Sequence, residues 1–167
     1  SDGVKGSGVA VDDLGDTLRL PAPSRRIVSL APSNTELLFA MGLGDRLVGV
    51  TDVCNYPAAA DSIRKVAGYS TLNAELIVAV APDLAVAARG NDLERLQTLR
   101  NLEIPAFALA ISSVEELFSA IERLGRLCYS VPEAAALAAR LRRRVDAVDA
   151  RVHAASERPG AIWCYWG

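Results

Sequence analysis

The sequence predicts an α/β fold in which a parallel sheet is flanked by helices, and three observations lead there. Short apolar runs at residues 27–30, 47–50, 84–87 and 106–109 are bounded by glycine, proline or polar turns. Between them lie stretches with helical periodicity, of about ten to fifteen residues. Serine or asparagine stands before several of these stretches, where a side-chain oxygen can accept from first-turn amides. Strands alternating with helices pair in parallel, because each crossover helix returns the chain to the starting edge of the sheet. The arrangement is Rossmann-like.

The elements follow in order. The opening "SDGVKGSG" is polar and glycine-rich and reads as a flexible leader, or a cloning remnant, left after removal of a signal sequence. In "VAVDDLGDTLRLPAP", Val9, Val11, Leu18 and Leu20 alternate about an Asp-Asp-Leu-Gly-Asp turn, which predicts a small hairpin. "RRIVSLAPSNTELLFAMGLGDRLVGVT" then reads as strand, loop, helix, glycine stop and strand. Ser33 and Glu36 have capping-box spacing, and Gly42 and Gly44 end that helix. "STLNAELIVAVAPDLAVAARG" predicts a helix from about Asn73, a break at Pro82 and Asp83, and the third apolar strand. "NDLERLQTLRNLEIPAFALA" adds a helix and the fourth. "SSVEELFSAIERLGRLC" opens on a second capping-box spacing and continues helical to about Gly125.

"VPEAAALAARLRRRVDAVDARVHAASE" breaks this rhythm. About 25 residues of strong helix formers place Leu137, Leu141, Val145, Val148 and Val152 on one stripe. At about 1.5 Å per residue the helix runs roughly 35 Å, longer than covering a sheet requires. Arg140, Arg142, Arg143 and Arg144 read most simply as a solvated face, the alternative being a surface for an acidic partner. The closing "RPGAIWCYWG" reads as a turn followed by a strand dense in aromatic and β-forming residues.

Composition narrows the function. Half of the 167 residues are hydrophobic and 23% are charged, a globular balance. Eighteen basic against twenty acidic side chains leave a net charge of −2, so nucleic acid is not an expected partner. The longest apolar stretch, "AELIVAVAPDLAVAA", is cut by Pro82 and Asp83 before it reaches membrane-spanning length. Cys54, Cys128 and Cys164 show no C-x-x-C spacing, and their number is compatible with one disulfide and one free thiol. Glycine-rich phosphate loops and nucleophile elbows are missing from the sequence. His153, the only histidine, reads as a surface residue, and Cys54, with no base assigned to it, as a structural thiol. No catalytic residue and no metal-ligand set is assigned.

What remains are loops at the carboxyl ends of the strands, where open parallel sheets bind ligands. "APSNTE", "TDVCNYPAAA", "AGYSTLN" and "AARGND" supply helix-start amides, Tyr56, Tyr69, Arg89 and the side-chain amides of Asn34, Asn55 and Asn91. Two tyrosines on such loops, in a chain with 5% aromatics, point to ligand contact. The plainer alternative has Tyr56, before Pro57, packing a turn.

Taken together, these stretches resemble the substrate-binding proteins of ABC importers for vitamin B12, haem and iron-siderophores, from about Val9 to Gly167. The resemblance rests on the S-x-x-E loop-helix at Ser33 and Glu36, the Tyr56-Pro57 loop, the Gly-Tyr-x-x-x-Asn-x-Glu segment from Gly68 to Glu75, and the Pro-Asp-Leu lead at Pro82. It implies two α/β lobes joined by one long helix, with ligand held between them. Residues 9–130 would form the N-terminal lobe after a leader of residues 1–8, and residues 131–158 the inter-lobe helix. Residues 159–167 would open a second lobe whose remainder lies outside this sequence, which gives the aromatic tail its expected strand partners.

By the same resemblance the protein is an extracytoplasmic, non-enzymatic binding component, periplasmic or extracellular and membrane-anchored, with no intrinsic cofactor. Its partners are a metal-chelate ligand and an ABC permease. Ligand contact is expected at Pro32, Ser33, Asn34, Asn55, Tyr56, Tyr69, Ser70 and Arg89, and permease docking at Glu75. Metal-ion receptors of this kind use several histidines and carboxylates, which a single histidine does not match. The Cys-Asn-Tyr-Pro and Arg-Gly-Asn loops look most like corrinoid receptors, although Ala88 stands where those can carry an aromatic residue. Haem is the alternative, because haem receptors place a tyrosine ligand where Tyr69 stands; a ferric siderophore is the third choice. Two readings of other classes are a nucleotide- or phosphate-using enzyme on a doubly wound sheet, and a homodimer that buries Trp163, Tyr165 and Trp166 of the C-terminal tail against a second copy.

Overall fold

A computed structural model of the protein describes residues 8–68, 71–88, 93–155 and 160, with residues 93–95 described by backbone alone. The expectations for Tyr69, Ser70, Arg89 and the tail strand lie outside the described residues. A hairpin of β1 (Val9–Val11) and β2 (Thr17–Arg19) precedes the main domain. The sheet is formed by β3 (Ile27–Ser29), β4 (Leu47–Thr51), β5 (Lys65–Ala67), β6 (Leu84–Ala88) and β7 (Ala106–Leu109). Its order is β5-β4-β3-β6-β7, and every pair is parallel. The helices are α1 (Pro32–Ala40), α2 (Ala74–Ala79), α3 (Leu93–Asn101), α4 (Val114–Leu127) and α5 (Val131–Ala154).

Both sheet faces are covered, which explains why the strands read as unbroken apolar runs. Along β6, Leu84 and Val86 join the core beneath α1, α4 and α5, while Ala85 and Ala87 join the core beneath α2 and α3. Phe107 and Leu109 against Ala108 repeat that alternation in β7. β5 was not expected from the sequence. It has three residues and one fully buried side chain, Val66, so no apolar run announces it.

Helix ends follow local chemistry, with one correction. α1 begins at Pro32, whose fixed φ and missing amide suit the first helical position. Ala31 is the N-cap and no side chain caps it, so the capping box expected from Ser33 and Glu36 does not form. Proline starts the helix before Ser33 can. The box expected at α4 is present: Glu116 N donates to Ser113 Oγ at 3.1 Å, and Ser113 N donates to Glu116 Oε2 at 3.1 Å. At the other end of α1, Gly42 adopts φ +73°. Its amide donates to Phe39 O and that of Leu43 to Leu38 O, a paired closure that satisfies two terminal carbonyls.

The hairpin forms as expected, but with the opposite residues inward on its first strand. Ala10 pairs with Leu18 and is buried, whereas Val11 is exposed. The hairpin's turn reaches β7, the last strand of the sheet. Asp13 N donates to Ala108 O at 3.0 Å, Ala108 N to Asp12 Oδ2 at 3.3 Å, and Ala110 N to Asp13 Oδ2 at 2.6 Å. Asp12 also accepts from Leu14 and Asp16 amides at 2.9 Å, which shapes the turn itself. α5 packs its first half on α4 through buried Ala134, Leu137 and Ala138. Gly125 permits that approach, since a Cβ there would stand 2.5 Å from Ala134 Cβ. His153 is exposed on the far half, its Nδ1 2.7 Å from Asp149 O.

Candidate ligand-binding site

All five strands of the sheet end at one edge, and the strand order reverses between β3 and β6. Chains leaving these two strands part to opposite sides, and the crevice between them is where doubly wound sheets receive ligands. A cavity of about 340 Å³ opens there, lined by Ser33, Asn34, Leu37, Ala88, Leu109, Ile111 and Leu117. Asn34 is buried, and its Nδ2 donates to Val86 O at 3.3 Å, which ties the first turn of α1 to β6. The first intrahelical bond of α1 runs from Thr35 N to Ala31 O. The amides of Ser33 and Asn34 precede it and have no intrahelical acceptor, and the helix dipole favours negative charge or acceptors beside them.

Of the residues expected from sequence, Ser33 and Asn34 line this cavity, and Pro32 adjoins it as the first residue of α1. Asn55 and Tyr56 stand on the loop after β4, at the same edge, and both are exposed. Tyr56 is 64% exposed, so it does not pack a turn. Glu75 is exposed in the first turn of α2, behind Asn73, whose Oδ1 accepts from Leu76 N at 3.0 Å. Ala88, at the end of β6, lines the cavity with a methyl group.

Four lining residues, Leu37, Leu109, Ile111 and Leu117, escaped the sequence reading. Leu37 extends the α1 wall, and the other three come from the end of β7, the turn after it and the start of α4, a fifth carboxyl-edge segment that the rule identifying the other four also selects. A second hollow of about 310 Å³ adjoins them, lined by Asp13, Leu14, Ala110 and Glu116 among others. Partial burial pushes the Asp13 carboxyl up, but hydrogen bonds from Arg123 and the Ala110 amide outweigh it and hold it below its ordinary value. Arg123 Nη1 lies 2.7 Å from Asp13 Oδ1. Hydrogen bonds from the Ser112 hydroxyl and amide, both at 2.6 Å, lower Glu116.

The thiols of Cys54 and Cys128 are free and buried. Burial pushes Cys128 up to about 12, so it stays neutral at physiological pH. Among the described residues no three His, Cys, Asp or Glu side chains gather to hold a metal ion, and no helix is long and apolar enough to cross a membrane.

A doubly wound lobe with a largely apolar hollow and first-turn amides without an intrahelical acceptor at its switch point is an architecture for holding a ligand. The chain belongs to the periplasmic binding protein family, whose model matches residues 27–166. It is 37% identical to the vitamin B12-binding protein of Yersinia pestis over 131 residues, which cover 77% of this chain and 47% of that protein. Among solved structures it superposes on the periplasmic vitamin B12-binding protein of Vibrio cholerae with a TM-score of 0.73 and 35% identity, covering 83% of this chain and 54% of the other. A periplasmic haem-binding protein of Pseudomonas aeruginosa matches with a TM-score of 0.73 and 25% identity, over 78% and 48% of the two chains. The chain spans about half the length of the curated relatives it matches. The expected α/β lobe followed by a long helix is present.

Proposed function

We propose that the chain is the N-terminal ligand-binding lobe and inter-lobe helix of an extracytoplasmic solute-binding protein that takes a corrinoid and delivers it to an ABC permease. The observation that carries this reading is the gathering at one sheet edge of an apolar hollow, first-turn amides without an intrahelical acceptor, and exposed Asn55 and Tyr56. Their presence in a chain 37% identical to a vitamin B12-binding protein supports the corrinoid. A corrinoid is a broad ligand with partly apolar faces and an amide rim. The Tyr56 ring supplies flat area for a face, and Ser33, Asn34 and Asn55 supply donors and acceptors for the rim. Tyr69, Ser70 and Arg89 complete the same set by their places in the sequence. Glu75, exposed at the same edge, is the carboxylate offered to arginines of the permease. The ligand enters and leaves unchanged, so the protein's work is burial and release.

Cobalamin and haemin are both coloured, and an absorbance titration of the chain with each tests the proposal. Cobalamin bands are expected to shift, with Tyr56→Ala weakening binding about fivefold and Tyr69→Ala more. Equal affinity in the parent and both variants removes these loops from the site. Haem is the second reading, supported by the haem-binding neighbour and by the resemblance, which implies a tyrosine iron ligand where Tyr69 stands. A haemin band without cobalamin binding selects it. In a full-length transporter assay, Glu75→Ala is expected to reduce uptake while leaving ligand affinity intact.

A further inference from the structure

We infer that Lys65 and Thr35 are positioning residues of this site, acting through Cys54 to fix the Asn55–Tyr56 segment relative to the first turn of α1. The inference takes its ligand from the reading above; the rest is geometry. Every polar atom of Cys54 is engaged. Its amide donates to Thr51 O at 3.1 Å, and its carbonyl accepts from Lys65 Nζ at 2.8 Å. Its thiol lies 3.0 Å from Thr51 Oγ1 and 3.2 Å from Thr35 Oγ1. Cys54, Thr35 and Thr51 are all sealed from solvent.

Lys65 spans the base of the loop. From β5 its half-buried ammonium donates a second bond to Ala60 O at 3.2 Å, so one side chain ties the carbonyls at both roots of the segment. Between those roots Asn55 and Tyr56 are exposed. The backbone is held and the side chains are left free. Thr35 extends the hold to α1, where it directly follows Asn34, and its hydroxyl also lies 2.8 Å from Ser29 Oγ at the end of β3. The end of β3, the first turn of α1 and the loop after β4 are therefore referenced to one buried sulfur.

Buried polar groups left without partners are costly, so loss of one member loosens the rest. A loop already ordered before the ligand arrives loses less entropy on binding. Lys65 and Thr35 line no part of the cavity and reach the ligand only through Tyr56 and its neighbours.

The test has two arms. The first needs no ligand: hydrogen exchange of the Cys54 and Ala60 amides, which donate to Thr51 O and Pro57 O, is expected to speed up at least tenfold in Lys65→Met, with α4 unchanged. The second is a double-mutant cycle read by cyanocobalamin affinity. Lys65→Met is expected to weaken binding about threefold in the parent, less than Tyr56→Ala does, and to have no further effect in Tyr56→Ala. A merely structural role would weaken binding equally in both backgrounds, and that result overturns the inference, as does unchanged exchange. If Lys65→Met unfolds, Thr35→Val carries both arms, with Thr35→Ser expected to restore the parent values. Failure of the parent chain to bind cobalamin overturns the corrinoid reading instead, and the exchange arm then decides this inference alone.

Discussion

The two halves of α5 obey one sequence pattern and meet different surroundings. In the first half, Leu137 and Ala138 are sealed against α4, where Gly125 lets Ala134 come close. In the second half, Val148 and Val152 continue the same stripe and are 57% and 53% exposed. The difference is one of length. At about 1.5 Å per residue, the 14 residues of α4 reach about 21 Å and the 24 of α5 about 36 Å. Among the described residues α5 therefore outruns its cover by roughly 15 Å. The boundary falls at Arg142, whose guanidinium lies 4.4 Å from the Phe118 ring centre and 3.7 Å from Glu122 Oε1. A periodic stripe says which side of a helix is built for cover; it does not say that the cover belongs to the same lobe.

Substitutions along the stripe sharpen this contrast. Leu137→Ala is expected to cost about 3 kcal/mol in urea denaturation, because it leaves a hole in a core that relaxes only in part. At the boundary, Arg142→Ala should cost less than about 1 kcal/mol, since its pairing with Phe118 and Glu122 is solvent-exposed. Beyond it, Val148→Ser together with Val152→Ser should change stability by no more than about 0.5 kcal/mol. If that double variant lost as much as Leu137→Ala, the far half would have a cover within the chain and the contrast would collapse.

Much of the fold was legible because its strands are buried on both sides. Unbroken runs such as "LAVAA" admit few other readings between turns. β5 was not legible: Lys65, Val66 and Ala67 become a strand only because β4 offers them a neighbour. The start of α1 was misread because Ser33 and Glu36 have the right spacing, but Pro32 claims the first helical position ahead of them. For the candidate site, the carboxyl-edge rule led from the loops alone to Ser33 and Asn34, which line the hollow, and to Asn55 and Tyr56, which stand exposed at the same edge. It passed over Ile111 and Leu117 because they bring apolar area and no distinctive chemistry. The meeting of Thr35, Thr51 and Cys54 was beyond reach, since it depends on how a helix and a neighbouring strand end are packed.

The contact between the hairpin turn and β7 has a consequence for solubility. The outermost strand of an open sheet presents bare amides and carbonyls that another molecule's strand can pair with. Here Asp12 and Asp13 occupy those groups with a turn rather than a strand, so the ladder is closed by residues that offer no further edge at this point. A chain trimmed through residue 20 would uncover Ala108 and Ala110, and light scattering is expected to report more sheet-to-sheet assembly than in the intact chain. The small hairpin, remote in sequence from the strand it touches, is what an added strand would have to displace from Ala108 and Ala110.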